Sequence, residues 1–369
     1  MSGQWHMWNA GDPADRRAWV RLWEQSPMQH PFAHPDLCWL LRPHHGRLMA
    51  ATMTVGSGHI LYPFFLRDID DAGPLRQDII SPYGYGGPLH WGLDSVEESA
   101  AQFWARFGGW ADESGVVSEF VRFSLFGEEL LPYPGPTRER QTNYVRDLDV
   151  TEEELWLGVE SKVRSNVRRA RKEGVRVVVD TRGEHLQDFL RIYHGTMERR
   201  DSVAWYRFDA DFFSGLHAAL PGRYAYVMAE HEGRIVSADL LLLSADAGYY
   251  FLGGTDRGSF SARPNDLVKF EAMSWLRHSG RSSYVLGGGV QPKDGLERYK
   301  RGFAPRGAVP FTTGERVFAP KAYESLVNAA KQQFATAGAA WEEADGFFPE
   351  YRRQVPADRL PSRLATTEV

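Results

Sequence analysis

Residues 248–305 read GYYFLGGTDRGSFSARPNDLVKFEAMSWLRHSGRSSYVLGGGVQPKDGLERYKRGFAP and give the clearest indication of the fold. A strand ends at the glycines 253–254, a helix begins after Pro264, and a second strand ends at the glycines 287–289. Adjacent glycines at strand ends let the backbone approach a ligand closely, although they are also common as purely structural turns. Helices and strands alternate along the rest of the chain, which predicts an α/β or α+β fold.

Several well-known site motifs are absent from the sequence. It contains no G-x-x-x-x-G-K-[ST] and no strand–G-x-G-x-x-G–helix unit, which excludes a P-loop and gives no support for a dinucleotide site. It also lacks H-E-x-x-H and G-x-S-x-G, the motifs of zinc proteases and of α/β-hydrolases. We therefore predict no metal site.

The densest charge feature is SKVRSNVRRARKEGVRVVVDTR, residues 161–182, with eight basic residues. It belongs to a helix predicted over residues 152–173, which Thr151 caps with Glu154 three residues on. Arg164, Arg168 and Arg171 share one face of this helix. A solvated helix face and a phosphate-binding surface for a nucleotide or RNA backbone explain the pattern equally well.

Composition limits the class of protein. The chain has 369 residues, 43% of them apolar and 25% charged, which predicts a globular protein of two domains. A net charge of −5 excludes a generic nucleic-acid coat, so any RNA contact requires a local patch. The single cysteine, Cys38, excludes an internal disulfide framework. With no span of about 18 apolar residues and no secretory signal, we expect a cytoplasmic protein.

A proline-rich segment, residues 132–136, separates the two predicted domains. The first covers residues 1–145 and is completed by part of 315–345. The second covers residues 146–314 and contains the basic helix and the glycine-rich stretch. Residues 346–369 form a polar C-terminal tail.

Taken together, the motifs resemble the FemABX-like branch of the GNAT acyltransferase superfamily. The matching pieces of residues 248–305 are F-L-G-G, P-N-D-L, L-G-G-G, D-G-L and Y-K-R-G-F. The basic helix and the loop SPYGYGGP at residues 81–88 are similar as well. The resemblance covers residues 80–305 and implies two tandem GNAT-like domains, each a mixed twisted sheet flanked by helices, with a cleft between them.

The resemblance implies an aminoacyltransferase that moves an amino acid from aminoacyl-tRNA to an amine and forms an amide bond. The acceptor is a small molecule or peptide, either an antibiotic intermediate or a peptidoglycan precursor. No cofactor is expected, because aminoacyl-tRNA is a co-substrate. The expected partners are this RNA and the acceptor, with no DNA and no membrane span, and we expect a monomer.

The implied site centres on Lys300, which would stabilise the oxyanion, and on Tyr299 beside it in the same motif. A surface ion pair with Glu297 is the alternative role for Lys300. The other candidates would bind substrate. The backbone amides of Gly287, Gly288 and Gly289 would position it, and Arg164 and Arg168 would hold phosphates. The acceptor cleft would be lined by Tyr83, Tyr85, Arg200 and Tyr206.

Two other functions stay open. The first is an acyl-CoA-dependent N-acyltransferase, for which acetyl-CoA would bind at a split between strands 235–244 and 248–254. Against it, residues 256–261 read DRGSFS and lack the R/Q-x-x-G-x-[GA] pyrophosphate loop of acetyl-CoA-dependent relatives. The second is a non-catalytic RNA- or nucleotide-binding module that uses only the basic helix.

Overall fold

The computed structural model describes residues 3–43, 46–69, 76–199, 207–291, 293–342 and 346–356. The chain divides into two compact units. The first contains Met1–Gln25, Leu41–Arg140 and Thr312–Val369, and the second contains Ser26–Leu40 and Gln141–Phe311. The sequence instead places residues 26–40 in the first domain. They belong to the second unit because Phe32 packs there against Tyr249 and Phe251, at centroid distances of 5.6 and 6.4 Å.

Helices and strands occur in both units. The helices are α1 (Pro13–Gln25), α2 (Pro35–Leu40), α3 (Val96–Glu113), α4 (Glu152–Leu157), α5 (Ser161–Lys172), α6 (Leu186–Arg199), α7 (Ala210–Ala219), α8 (Pro264–His278), α9 (Gly295–Phe303) and α10 (Pro320–Thr336). The strands are β1 (Gln4–Asn9), β2 (Arg47–Val55), β3 (Gly58–Ile69), β4 (Arg76–Ile80), β5 (Leu89–Trp91), β6 (Val116–Arg122), β7 (Thr137–Asp147), β8 (Arg176–Asp180), β9 (Tyr224–His231), β10 (Arg234–Leu243), β11 (Ala247–Thr255), β12 (Ser283–Gly288) and β13 (Ala308–Val317).

The first unit is a mixed sheet in the order β1-β2-β3-β4-β6-β13, with β5 paired to β3. β4 and β6 are parallel, and the other pairs are antiparallel. β2 and β3 form a hairpin whose turn lies at residues 56–57. α3 packs Phe103 and Phe107 into an aromatic core that covers the sheet.

The second unit is also a mixed sheet, in the order β7-β12-β11-β10-β9-β8, and α8 connects the parallel strands β11 and β12. These two strands pair only over residues 247–249 and 283–285 and then separate. By contrast, β10 and β11 pair along almost their whole length, with a bulge where Phe251 is the extra residue. The split predicted between strands 235–244 and 248–254 is therefore wrong, since the sheet opens one strand further along.

The single helix predicted over residues 152–173 is two helices. α4 has the expected capping box at Thr151 and Glu154, and it ends at Gly158. Arg146 donates to the Gly158 carbonyl at 3.0 Å, and Arg164 donates to the carbonyls of Leu157 and Val159. These guanidinium groups satisfy the carbonyls at the helix break, and so stabilise it.

Candidate active site

A cavity of about 650 Å³ lies in the second unit, where β11 has separated from β12. Its walls are the C-terminal part of α6, the second half of β11, the first turns of α8 and the beginning of α9. Glycine-rich strand ends meet helix beginnings at this place, as the sequence predicts. A cavity of this size can hold a small-molecule group or the end of a larger substrate.

Lys300 lines this cavity and is 6% exposed. Its Nζ donates a hydrogen bond of 2.7 Å to the carbonyl oxygen of Gly288, at the end of β12. The lysine and the glycine-rich strand end are thus brought together as the motif order predicts. The alternative role, a surface ion pair with Glu297, is wrong for this geometry: Lys300 is buried, while Glu297 accepts from the backbone N–H of Lys293 and from the hydroxyl of Tyr144.

The loop between β12 and α9 is fixed by Asp294, the N-cap of α9. Its carboxylate accepts backbone N–H bonds from Glu297 at 2.7 Å, Val290 at 2.7 Å and Gln291 at 3.1 Å. Hydrogen bonds from Glu297 and then Gln291 hold the pKa of Asp294 below its usual value. The loop that positions Lys300 is therefore held by an ionised carboxylate.

A buried ion pair, Asp239 on β10 and Lys269 on α8, also lines the cavity. The two residues are 1% and 2% exposed, and the Lys269 ammonium donates to the Asp239 carboxylate. Burial raises the pKa of Asp239 and lowers that of Lys269, and the charge of each partner opposes the shift of the other. No sequence motif predicts this pair. The one available signal is that Asp239 is the single charge in the apolar run ADLLLL.

The ring of Tyr250 connects the ion pair to Lys300. The Nζ of Lys269 lies 3.5 Å from the centroid of this ring, and the Nζ of Lys300 lies 5.5 Å from it. Ammonium groups over an aromatic face are attracted by the ring quadrupole. Two cations and one carboxylate therefore share the floor of the cavity around one aromatic ring.

The glycines of F-L-G-G make room for polar side chains. Gly253 is the cross-strand neighbour of Asp239, and a Cβ at Gly253 would overlap Asp239 Oδ1. A Cβ at Gly254 would lie 2.5 Å from Thr196 Oγ1 and 2.9 Å from the Ile192 carbonyl, both on α6. These glycines are therefore required by close approach, one on each face of β11.

The glycines after β12 have similar reasons. Gly287 has a φ of +78°, which favours glycine. A Cβ at Gly288 would lie 2.7 Å from the Thr142 carbonyl, and one at Gly289 would lie 2.5 Å from Asp294 Oδ1. Gly288 thus accepts from Lys300, and Gly289 approaches Asp294 in the loop that leads to α9. None of the three glycines is part of the cavity lining, and their role in positioning substrate stays a prediction.

Tyr299 lines the cavity, and its hydroxyl is buried without a hydrogen-bond partner among the residues that the structure describes. The hydroxyl of Tyr284, on β12, is in the same situation. Burial, followed by the charges of nearby carboxylates, raises the pKa of both phenols well above the usual value. Both groups are therefore neutral hydroxyls that can donate a hydrogen bond.

The two arginines predicted to bind phosphate lie on α5, outside the cavity lining. Arg164 is engaged with the carbonyls of Leu157 and Val159, and Arg168 lies over the Trp156 ring at 5.1 Å. Arg164 therefore has a structural partner, whereas the Arg168 side chain is exposed.

The tyrosines predicted for the acceptor site, Tyr83 and Tyr85, lie in the first unit between β4 and β5. Burial raises the pKa of the Tyr85 phenol. The other two candidates for that site, Arg200 and Tyr206, fall outside the described residues, and their role stays a prediction.

Comparisons with known proteins agree with this geometry. Residues 159–301 match the family model described as an acetyltransferase (GNAT) domain. A solved structure of FemX is similar over 84% of this chain and 98% of its own, with a TM-score of 0.60 and 14% identity. No curated protein sequence matches the chain.

Two lysylphosphatidylglycerol-related structures share the fold as well. The C-terminal domain of a putative lysylphosphatidylglycerol synthetase from Agrobacterium fabrum is 14% identical, with a TM-score of 0.52 over 86% of this chain and 96% of its own. L-PGS from Bacillus licheniformis is 13% identical, with a TM-score of 0.51 over 83% of this chain and 92% of its own.

Residues 159–301 therefore form an acyltransferase domain of the GNAT superfamily. Within that superfamily the chain has the FemABX-like form of the fold, as its motifs predict. The predicted fold class, two GNAT-like domains of mixed sheet and flanking helices, is confirmed. In the described part of the chain, no helix combines the length and apolar character that crossing a bilayer requires.

Proposed function

We propose that the protein transfers an aminoacyl group from aminoacyl-tRNA to the amine of a small molecule or peptide. The observation that carries the proposal is the buried Lys300 ammonium, held at the Gly288 carbonyl on the wall of the cavity in a GNAT domain. A cation fixed at this position is suited to the negative charge that develops during acyl transfer.

The proposed reaction is aminolysis of an ester. The acceptor nitrogen attacks the acyl carbon, and the carbonyl electrons move to its oxygen to give a tetrahedral oxyanion beside Lys300. The carbon–oxygen bond to the ribose then breaks as the carbonyl re-forms, and the proton lost by the amine ends on the ribose oxygen. Stabilisation of the oxyanion by one fixed donor contributes roughly 3–4 kcal/mol.

The beginning of α8 favours a donor other than acyl-CoA. Arg263 precedes the helix with a φ of +58°, and Pro264, the first helical residue, has no N–H to offer an anion. The buried Asp266 carboxylate already occupies the first turn and accepts from Asn166 at 3.0 Å. A pyrophosphate here would meet a carboxylate, so the segment lacks the anion site that such helix beginnings often provide.

The similar structures support the same class of donor. One is FemX, and another is the C-terminal domain of a putative synthetase named for its product, lysylphosphatidylglycerol. We therefore retain an amine of an antibiotic intermediate or of a peptidoglycan precursor as the acceptor class. Acyl-CoA-dependent transfer is the second candidate, favoured by the family description as an acetyltransferase.

Radiolabelled transfer tests the proposal. The protein is incubated with labelled amino acids, total tRNA, synthetases and a panel of amines, with and without RNase, and in parallel with labelled acetyl-CoA. We expect labelled amide that RNase abolishes. RNase-resistant transfer from acetyl-CoA would instead establish the second candidate, and RNA binding without any transfer would support a non-catalytic module.

Lys300→Met tests the role of the cation. We expect the transfer rate to fall about 10²–10³-fold, the usual effect of removing one oxyanion donor. Arg301→Met is the matched control, because Arg301 is the next residue of α9. Its side chain is exposed and forms an ion pair with Glu160, with 3.7 Å between Nε and Oε1. Transfer by Lys300→Met within about threefold of the unmodified protein would refute the oxyanion role.

A further inference from the structure

The outer face of α5 carries a cationic surface that the cavity chemistry does not use. We call it the α5 basic surface and define it by four exposed residues: Lys162, Arg168, Arg169 and Lys172. The apolar residues of the same helix, at positions 163, 167 and 170, are buried in the core. The helix therefore has one face that anchors it and one that offers positive charge to a partner.

The remaining two arginines of α5 have internal partners and are not part of this surface. Arg164 donates to the carbonyls of Leu157 and Val159. Arg171 pairs with Glu271 at 2.8 Å. Within the surface, Arg168 lies over the Trp156 ring at 5.1 Å and Arg169 lies 4.0 Å from Glu173, and both side chains stay exposed to solvent.

The α5 basic surface begins next to the elements that build the cavity. Asn166 donates to Asp266 on α8, directly after the cavity residue Asn265, and Val163 packs beside Gly302 on α9. Lys162 lies close enough to Asp266 that its charge opposes the rise in the pKa of that carboxyl, which burial causes. From this end the twelve-residue helix extends for about 18 Å.

We propose that the α5 basic surface binds the phosphate backbone of an RNA strand whose end enters the cavity. This inference rests on the proposed function and names where that donor docks. Four cations along about 15 Å of helix match several successive phosphates of a nucleic-acid strand. A membrane-binding helix would instead add exposed apolar side chains to its basic face, and the apolar residues of α5 are all turned into the core.

The test measures binding of uncharged total tRNA by fluorescence anisotropy over a range of salt concentrations. The variant K162A/R168A/R169A/K172A removes the surface. The control R17A/R21A/K321A/K331A removes two arginines and two lysines that are exposed on α1 and α10 of the first unit. Both variants change the net charge equally, so only position distinguishes them.

We expect the surface variant to bind tRNA at least about tenfold more weakly near 0.1 M salt, while the control binds nearly as the unmodified protein does. The slope of log K against log salt should become shallower by about 2–3, because each lost phosphate contact removes roughly 0.7. Thermal unfolding of both variants should match the unmodified protein, since all eight side chains are exposed.

The outcomes separate this inference from the proposed function. Labelled transfer together with unchanged tRNA binding by the surface variant would overturn the inference and leave the function standing. Loss of tRNA binding by this variant would support the surface even if no amide is formed in the transfer assay. Absence of tRNA binding, with surface-dependent binding to vesicles of phosphatidylglycerol and phosphatidylcholine, would overturn it in favour of a membrane partner.

Discussion

Each unit buries a carboxylate on an interior strand of its sheet, and the two carboxylates have different neighbours. Glu119 on β6 of the first unit is fully buried and accepts hydrogen bonds of 2.8 Å from the hydroxyls of Tyr62 and Tyr133. Asp239 on β10 of the second unit holds an ammonium and faces a cavity. Neutral hydroxyls supply the hydrogen bonds of the first carboxylate within a packed core, where Arg316 is the nearby charge. The second carboxylate accepts directly from a cation at a site open to a ligand.

This difference in neighbours indicates a different role for each carboxylate. A buried ion pair costs desolvation energy that its own attraction rarely offsets, so it is poor evidence of stabilisation. Burying one carboxylate with two hydroxyl donors costs less desolvation energy than burying two charges. Burial still raises the pKa of Glu119, and the two hydrogen bonds oppose this rise. We therefore expect Glu119 to serve stability alone and the Asp239–Lys269 pair to be kept for the chemistry of the cavity.

The largest expected effect comes from breaking the ion pair. Asp239→Ala leaves Lys269 buried without its counter-charge, and we expect a loss of about 3–5 kcal/mol in the free energy of unfolding. Asp239→Leu combined with Lys269→Met replaces the pair by apolar groups and should recover most of that loss. Urea denaturation measures both, and transfer assays on the double variant should show low activity.

A double variant as unstable as Asp239→Ala would contradict these roles, because the pair would then be a structural element. A stable double variant that transfers at the unmodified rate would contradict them as well. In that case the two charges would serve neither stability nor chemistry.

A smaller effect is expected in the first unit. Glu119→Leu leaves the hydroxyls of Tyr62 and Tyr133 without their acceptor, which should cost about 2–4 kcal/mol of stability. The transfer rate per folded molecule should stay within about twofold, measured well below the melting temperature. A large loss of kcat with an unchanged melting temperature would show that the first unit takes part in the chemistry.

The sequence was informative where a motif combines glycine with a fixed side chain. L-G-G-G and Y-K predict that Lys300 lies near a strand end, because only a short loop separates β12, which ends at Gly288, from α9, which carries Lys300. The ion pair escaped prediction because its partners are 30 positions apart and meet only when α8 packs on the sheet. The helix break at Gly158 was not predicted for a related reason. It depends on Arg146, twelve positions earlier on β7, which donates to the Gly158 carbonyl.

The smallest effects compare single glycines in the two units. Gly254→Ala should cost about 1–3 kcal/mol, because its Cβ would press on Thr196 and on the Ile192 carbonyl of a packed helix. Gly109→Ala, within α3 of the first unit, meets nothing within 4 Å and should stabilise by about 0.5–1 kcal/mol. Urea denaturation of both variants should therefore give changes of opposite sign. If Gly254→Ala is also neutral or stabilising, α6 can move away from β11, and the cavity wall that they share is adaptable rather than fixed.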